Sequence, residues 1–200
     1  MDTTVKRPTV FVSYGFCEGP QIGRRFLRSL EQAGFQLTYS PEQADIFIGH
    51  SGGCLLTPSS STSQVTIFIG FPYWPGKSLI TTLMEKNRRE YRISQRTGTA
   101  RAWWAKLGWN SFYFWNMRRN VAMRRAMEHG PQTPAGPTVC LRNRDDDCCT
   151  PEIWSVSAFK KCAFISLAGE HDHLWMHPEA YTGIIKAYYG ANVLASPETK

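Results

Sequence analysis

The stretch Ala44-Asp45-Ile46-Phe47-Ile48-Gly49-His50-Ser51-Gly52-Gly53-Cys54 places the tightest constraint on how this chain folds. Ile46, Phe47 and Ile48 form a short apolar run, long enough for a buried strand and too short for a helix. The run ends in Gly49-His50-Ser51-Gly52-Gly53, a match to Gly-x-Ser-x-Gly. A strand that turns sharply into a helix holds its serine in a strained backbone conformation, and the flanking glycines let neighbouring backbone approach closely. The hydroxyl is then exposed to a base, and the next backbone N–H points at a developing oxyanion. Glycines around a serine also make ordinary turns, so the five residues acquire meaning only from what surrounds them.

The surroundings read as alternating strands and helices. Thr9 to Tyr14 is a first strand, and a helix introduced by Gly19-Pro20 carries Ile22, Phe26, Leu27 and Leu30 at helical spacing until Gly34 stops it. Phe35 to Tyr39 is a second strand, and the serine-bearing run is the third. Only Ser40 to Ala44 separate these two, whereas a parallel crossover usually needs about a dozen residues. Either this connection is a tight loop past the central strand, or one strand assignment fails. Val65 to Gly70 is a fourth strand, Val139 to Leu141 a fifth and Cys162 to Leu167 a sixth. Pro178 to Tyr189 reads as a closing helix, with a tail from Gly190. The pattern predicts an α/β fold over residues 1–200: a three-layer αβα sandwich on one mostly parallel sheet.

Residues 78–130 look helical and combine two signals. Lys86, Arg88, Arg89, Arg92, Arg96 and Arg101 precede Trp103, Trp104, Trp109, Phe112, Tyr113, Phe114 and Trp115. Basic residues interleaved with aromatics can bind nucleic acid, but no recognised nucleic-acid motif accompanies them. A solvated face above an apolar stripe is the simpler reading. The functional version is a helical cap, in which Trp103, Trp104, Trp109 and Trp115, with Trp74 after the fourth strand, line an apolar substrate pocket. The net charge of +7 is concentrated in this region.

Three strand ends carry three chemistries: Ser51 after the third, Asp145-Asp146-Asp147 after the fifth, and His171 and His173 after the sixth. In an open parallel sheet these ends share one edge, where ligands bind. A serine needs a base, and a histidine base needs a carboxylate to hold its tautomer. The order Ser, Asp, His and the glycine-framed serine resemble the α/β-hydrolase family, in its small, compact form, from about Val10 to Tyr188. The resemblance implies Ser51 as nucleophile. It implies Asp147 as the acid, four residues before Pro151, with Asp146 the alternative because three aspartates blur the register. His171, seven residues before Pro178-Glu179, is the implied base, with His173 the alternative. The implied oxyanion hole uses the backbone N–H groups of Gly52 and Phe16. Family members usually carry two further strands at the N-terminal edge, whose absence fits a minimal member, and a full helix before the nucleophile strand, which here is reduced to a few residues.

The expectation is therefore a serine hydrolase, esterase-like, cleaving an ester, thioester or amide through an acyl-enzyme, without cofactor or metal. The expected partner is a small ester-type substrate with an apolar group. The histidines and Asp172 suit a metal by type, but no HExxH pattern or separate ligand cluster is present. The six cysteines fall at no metal-ligand spacing and read as reduced thiols. Met1 to Thr9 lacks the apolar core of a secretory signal and no apolar run approaches a membrane span, so the expected location is cytoplasmic. The alternative class is a catalytically inactive hydrolase-fold binding protein that recruits an anionic partner through its basic helices.

Overall fold

A computed structural model describes residues 7–15, 20, 23–57, 63, 65–72, 121–122, 134–146, 149, 159–171 and 173–195. Its centre is a sheet of six strands: β1 (Thr9–Ser13), β2 (Gln36–Leu37), β3 (Ile46–His50), β4 (Val65–Ile69), β5 (Thr138–Asn143) and β6 (Ala163–Leu167). The order across the sheet is β2-β1-β3-β4-β5-β6, and every pairing is parallel. The carboxyl ends of β3, β5 and β6 therefore lie on one edge.

Side-chain alternation explains why both faces are apolar. From β1, β3, β4 and β5, Val10, Val12, Ile46, Ile48, Val65, Ile67, Ile69, Val139 and Leu141 point to one face. The intervening Phe47, Phe68 and Cys140 point to the other, where they meet Cys54, Phe71, Cys149 and Phe159. A strand buried on both faces reads as a nearly continuous apolar run, as β3 and β4 do. Each fully buried Ile or Phe contributes about 1.5–3 kcal/mol by leaving water.

The first face is covered by α1 (Arg24–Gln32), α2 (His173–Met176) and α3 (Pro178–Ala195). Helix α1 is amphipathic, burying Phe26, Ser29 and Leu30 while Arg24, Arg25 and Arg28 face solvent. The Ser29 hydroxyl donates to Thr182 Oγ1 of α3 at 3.0 Å, which ties the two helices beneath the surface. The helix ends as its glycine suggests. Gly34, at φ +98°, donates to Glu31 O, and Phe35 donates to Leu30 O, closing the last carbonyls in a Schellman motif.

The short connection is a tight loop past β1. Strand β2 is shorter than the Phe35 to Tyr39 run and pairs with only Thr9 and Val10. A 3-10 turn (Pro41–Gln43) then carries the chain beneath β1 to β3 on its far side. The Asp45 carboxylate accepts from the Thr9 backbone N–H at 2.7 Å, and the Asp45 N–H donates to Thr9 Oγ1 at 3.0 Å. This reciprocal clasp fixes the crossover.

One boundary differs from the sequence reading. Helix α3 does not end at Gly190 but runs on to Ala195. A helical glycine costs only about 1 kcal/mol relative to alanine, and Asn192 bonds back to Tyr188 O at 2.8 Å. The segment 78–130, expected to be helical, lies outside the described residues except for Val121 and Ala122, as do the expected pocket residues Trp74, Trp103, Trp104, Trp109 and Trp115. Among the described residues, no helix is long and apolar enough to cross a membrane.

Candidate active site

Strand β3 ends at His50, and Ser51 opens a 3-10 turn (Ser51–Leu56). Ser51 sits at φ +51°, the only positive φ of a non-glycine among the described residues. An L-residue pays about 1–2 kcal/mol for that conformation, and such strain concentrates at functional sites. The framing glycines are required by contact. A Cβ on Gly49 would lie 2.6 Å from the Cα of Cys54, and one on Gly53 would overlap the carbonyl oxygen of Ser13 at the end of β1. Backbone thus fills the space on both sides of the serine. Gly52 is buried in the turn, whereas Phe16, the other expected oxyanion donor, lies outside the described residues.

Asp146 and His171 meet on the far side of β4. His171 Nδ1 stands 2.9 Å from both carboxylate oxygens of Asp146, and both residues are buried. Placing the proton on Nδ1, as the carboxylate requires, makes Nε2 the basic nitrogen. The carboxylate meeting His171 thus belongs to Asp146, one residue before the Asp147 favoured by its distance to Pro151. Asp147 lies outside the described residues. The register follows from the end of β5: the Asp146 N–H donates to Asn143 O at 3.2 Å, folding the turn so that the third residue after the strand swings inward. Asp146 Oδ1 also accepts from the Cys149 N–H at 3.2 Å.

His173 is engaged elsewhere. Its Nδ1 donates to the Tyr181 hydroxyl at 3.2 Å, its ring packs at a tilt against that of His177, and a Cβ on Gly169 would overlap it. Tyr181 in turn donates to Asn143 Oδ1. Burial pushes the Tyr181 hydroxyl up to about 12, partly offset by its bond to Asn143. Among the described residues, no three histidine, cysteine or acidic side chains are grouped to hold a metal. Cys54, Cys140, Cys149 and Cys162 are thiols rather than disulfides.

Two residues important to this geometry escaped the sequence reading. Asn143, fully buried, links the acid and histidine loops by donating from Nδ2 to Glu170 O at 2.7 Å. Gly70, at the end of β4 with φ +58°, forms the floor beneath the Asp146–His171 contact: a Cβ there would lie 3.1 Å from Asp146 Oδ2 and 3.1 Å from His171 Cε1. The available signals were a polar residue closing an apolar strand and a glycine closing another.

No protein-family model matches the sequence, and no curated protein matches it. Solved structures do match the fold. Human thioesterase 2 aligns with a TM-score of 0.61 at 12% identity, over 96% of this chain and 100% of that one. ClbQ of the colibactin pathway aligns with a TM-score of 0.61 at 11% identity, over 96% and 100%. A carboxylesterase structure from Nitrososphaera gargenis aligns with a TM-score of 0.59 at 12% identity, over 96% and 93%. At such identities the likeness speaks to architecture, and the architecture is that of the α/β-hydrolases.

Proposed function

We propose that this chain, built on the α/β-hydrolase fold, is a serine hydrolase acting on an ester, thioester or amide, with simple esters as the first substrates to try. The observation that carries the reading is the buried Asp146–His171 contact at 2.9 Å, on the same sheet edge as a serine held at positive φ. In the proposed reaction Ser51 Oγ bonds to the substrate carbonyl carbon while its proton passes to His171 Nε2. The tetrahedral oxyanion is held by backbone N–H groups, with Gly52 and Phe16 as candidates. Collapse expels the leaving group, which takes the proton from His171. Water then attacks the acyl-enzyme carbonyl, giving one proton to His171, and the second intermediate collapses to release the acid as His171 returns that proton to Ser51 Oγ. Asp146 holds the imidazole tautomer and stabilises the imidazolium.

The aromatic residues of the 78–130 segment are the candidate lining for an apolar acyl group. Labelling with a fluorophosphonate tests the proposal. The native protein is expected to label at Ser51, and Ser51→Ala and His171→Ala are expected to abolish labelling. A folded native protein that neither labels nor cleaves p-nitrophenyl acetate overturns the reading and favours a binding role.

A further inference from the structure

The histidine loop hangs from an ordered set of hydrogen bonds. Leu167 O accepts from the Arg144 N–H at 2.7 Å and Gly169 O from the Asp145 N–H at 3.0 Å. Glu170 O accepts from Asn143 Nδ2 at 2.7 Å. All three donors belong to β5 or its acid turn, so they set the base against the acid. The next carbonyl, that of His171 itself, lies 3.2 Å from Nε2 of His50. A carbonyl only accepts, so His50 Nε2 carries the proton and donates. This bond comes from β3, from the residue immediately before Ser51.

His50 is fully buried. It points to the same face as Ile46 and Ile48, beneath the histidine loop. Its ring packs edge-on against Trp175 with centroids 4.7 Å apart, and 5.0 Å from the ring of His171. Trp175 is wedged in turn between Tyr14 and Phe26. A buried imidazole held by aromatic packing, with its donor aimed at the backbone of another histidine, is costly unless that bond is made.

From these contacts we infer that His50 is a positioning residue that sets the distance between the nucleophile and its base. The inference rests on the serine-hydrolase reading. Ser51 and His171 belong to segments far apart in the chain. The His50 side chain bridges them in a single step, from the residue bonded to Ser51 directly to the His171 backbone. Loss of the donor would leave the Asp146 contact in place and let the His171 backbone drift relative to Ser51.

The test compares His50→Gln, whose amide nitrogen reaches about as far as Nε2 and still donates, with His50→Met, of similar size and without a donor. Both are assayed with p-nitrophenyl acetate and fluorophosphonate, beside Ser51→Ala, with thermal unfolding as a control. A misplacement of about 1 Å costs roughly a hundredfold in rate, so His50→Met is expected to lose kcat on that scale with little change in KM. His50→Gln is expected to recover most of it at a similar melting temperature. Equal activity in the two variants, or failure of both to fold, assigns His50 to packing alone and overturns the inference. If Ser51→Ala stays active, the serine-hydrolase reading itself has failed.

Discussion

Replacing Gly70 by alanine should damage the site through two separable physical effects. The first is backbone strain, because Gly70 sits at φ +58°. An L-residue there costs about 1–2 kcal/mol. In a domain of this size that lowers the melting temperature by about 2–8 °C. The second is crowding. The new methyl would lie 3.1 Å from Asp146 Oδ2, 3.1 Å from His171 Cε1 and 3.2 Å from His171 Nδ1. Ordinary contacts are several tenths of an ångström longer, so the buried pair must shift by about that amount. Scaling from roughly a hundredfold for 1 Å, a shift of about half that size should cost about tenfold in kcat/KM. Gly34→Ala separates the two effects. Gly34 has φ +98°, and a methyl added there would meet nothing within 4 Å, so its alanine variant carries strain without crowding. The assay is p-nitrophenyl acetate hydrolysis well below both melting temperatures, with calorimetry alongside. Gly34→Ala should lose stability and keep full activity, while Gly70→Ala loses both. Full activity in a destabilised Gly70→Ala would refute the argument that the floor of the pair has no room to spare.

Two further outcomes are expected. Asp146→Asn should lower kcat by about 10³–10⁴ because an amide stabilises the wrong imidazole tautomer, whereas Asp147→Asn should change it little; a large loss in Asp147→Asn alone would reassign the acid. Tyr181 is protonated in the fold to about pH 12 against an ordinary value near 10, so its stabilising contribution is full below pH 10 and is lost as pH rises from there towards 12. Denaturant unfolding of native protein and Tyr181→Phe at pH 8 and pH 11 checks this: the variant should start less stable, by about 1–3 kcal/mol for the partners left unpaired, and lose less between the two pH values. Parallel losses would remove Tyr181 as the source.

Much of the architecture was legible because it rests on short-range chemistry. Apolar runs of strand length, each closed by glycine or polar residues, mark β1, β3 and β4, and Gly34 marks the end of α1. Gly49 and Gly53 were legible for the reason the structure displays: there is no volume for a side chain beside Cys54 or Ser13. What stayed hidden depends on contacts distant in sequence. Which aspartate turns inward is decided by the bond from its N–H to Asn143 O, and three identical residues offer no local clue. That His171 meets Asp146 while Tyr181 takes the ring of His173 shows only in the fold. His50 occupied a variable position of the serine motif, and nothing in a pattern of five residues announces a partner 121 positions away. The reach of α3 beyond Gly190 reflects a modest helix penalty that the rest of a long helix overcomes.

The all-parallel sheet also bears on when the chain could become reactive. Ser51 is synthesised early, just after β3, but His171, its proposed base, arrives on the loop after β6, the last of the described strands. Parallel pairing over such separations is slow, because the loop-closure entropy must be met before contacts reward it. A chain still emerging from the ribosome would therefore carry an ordinary alcohol at position 51. For a serine hydrolase built this way, activity would arise only when β6 has docked, and would serve as a timer for its arrival.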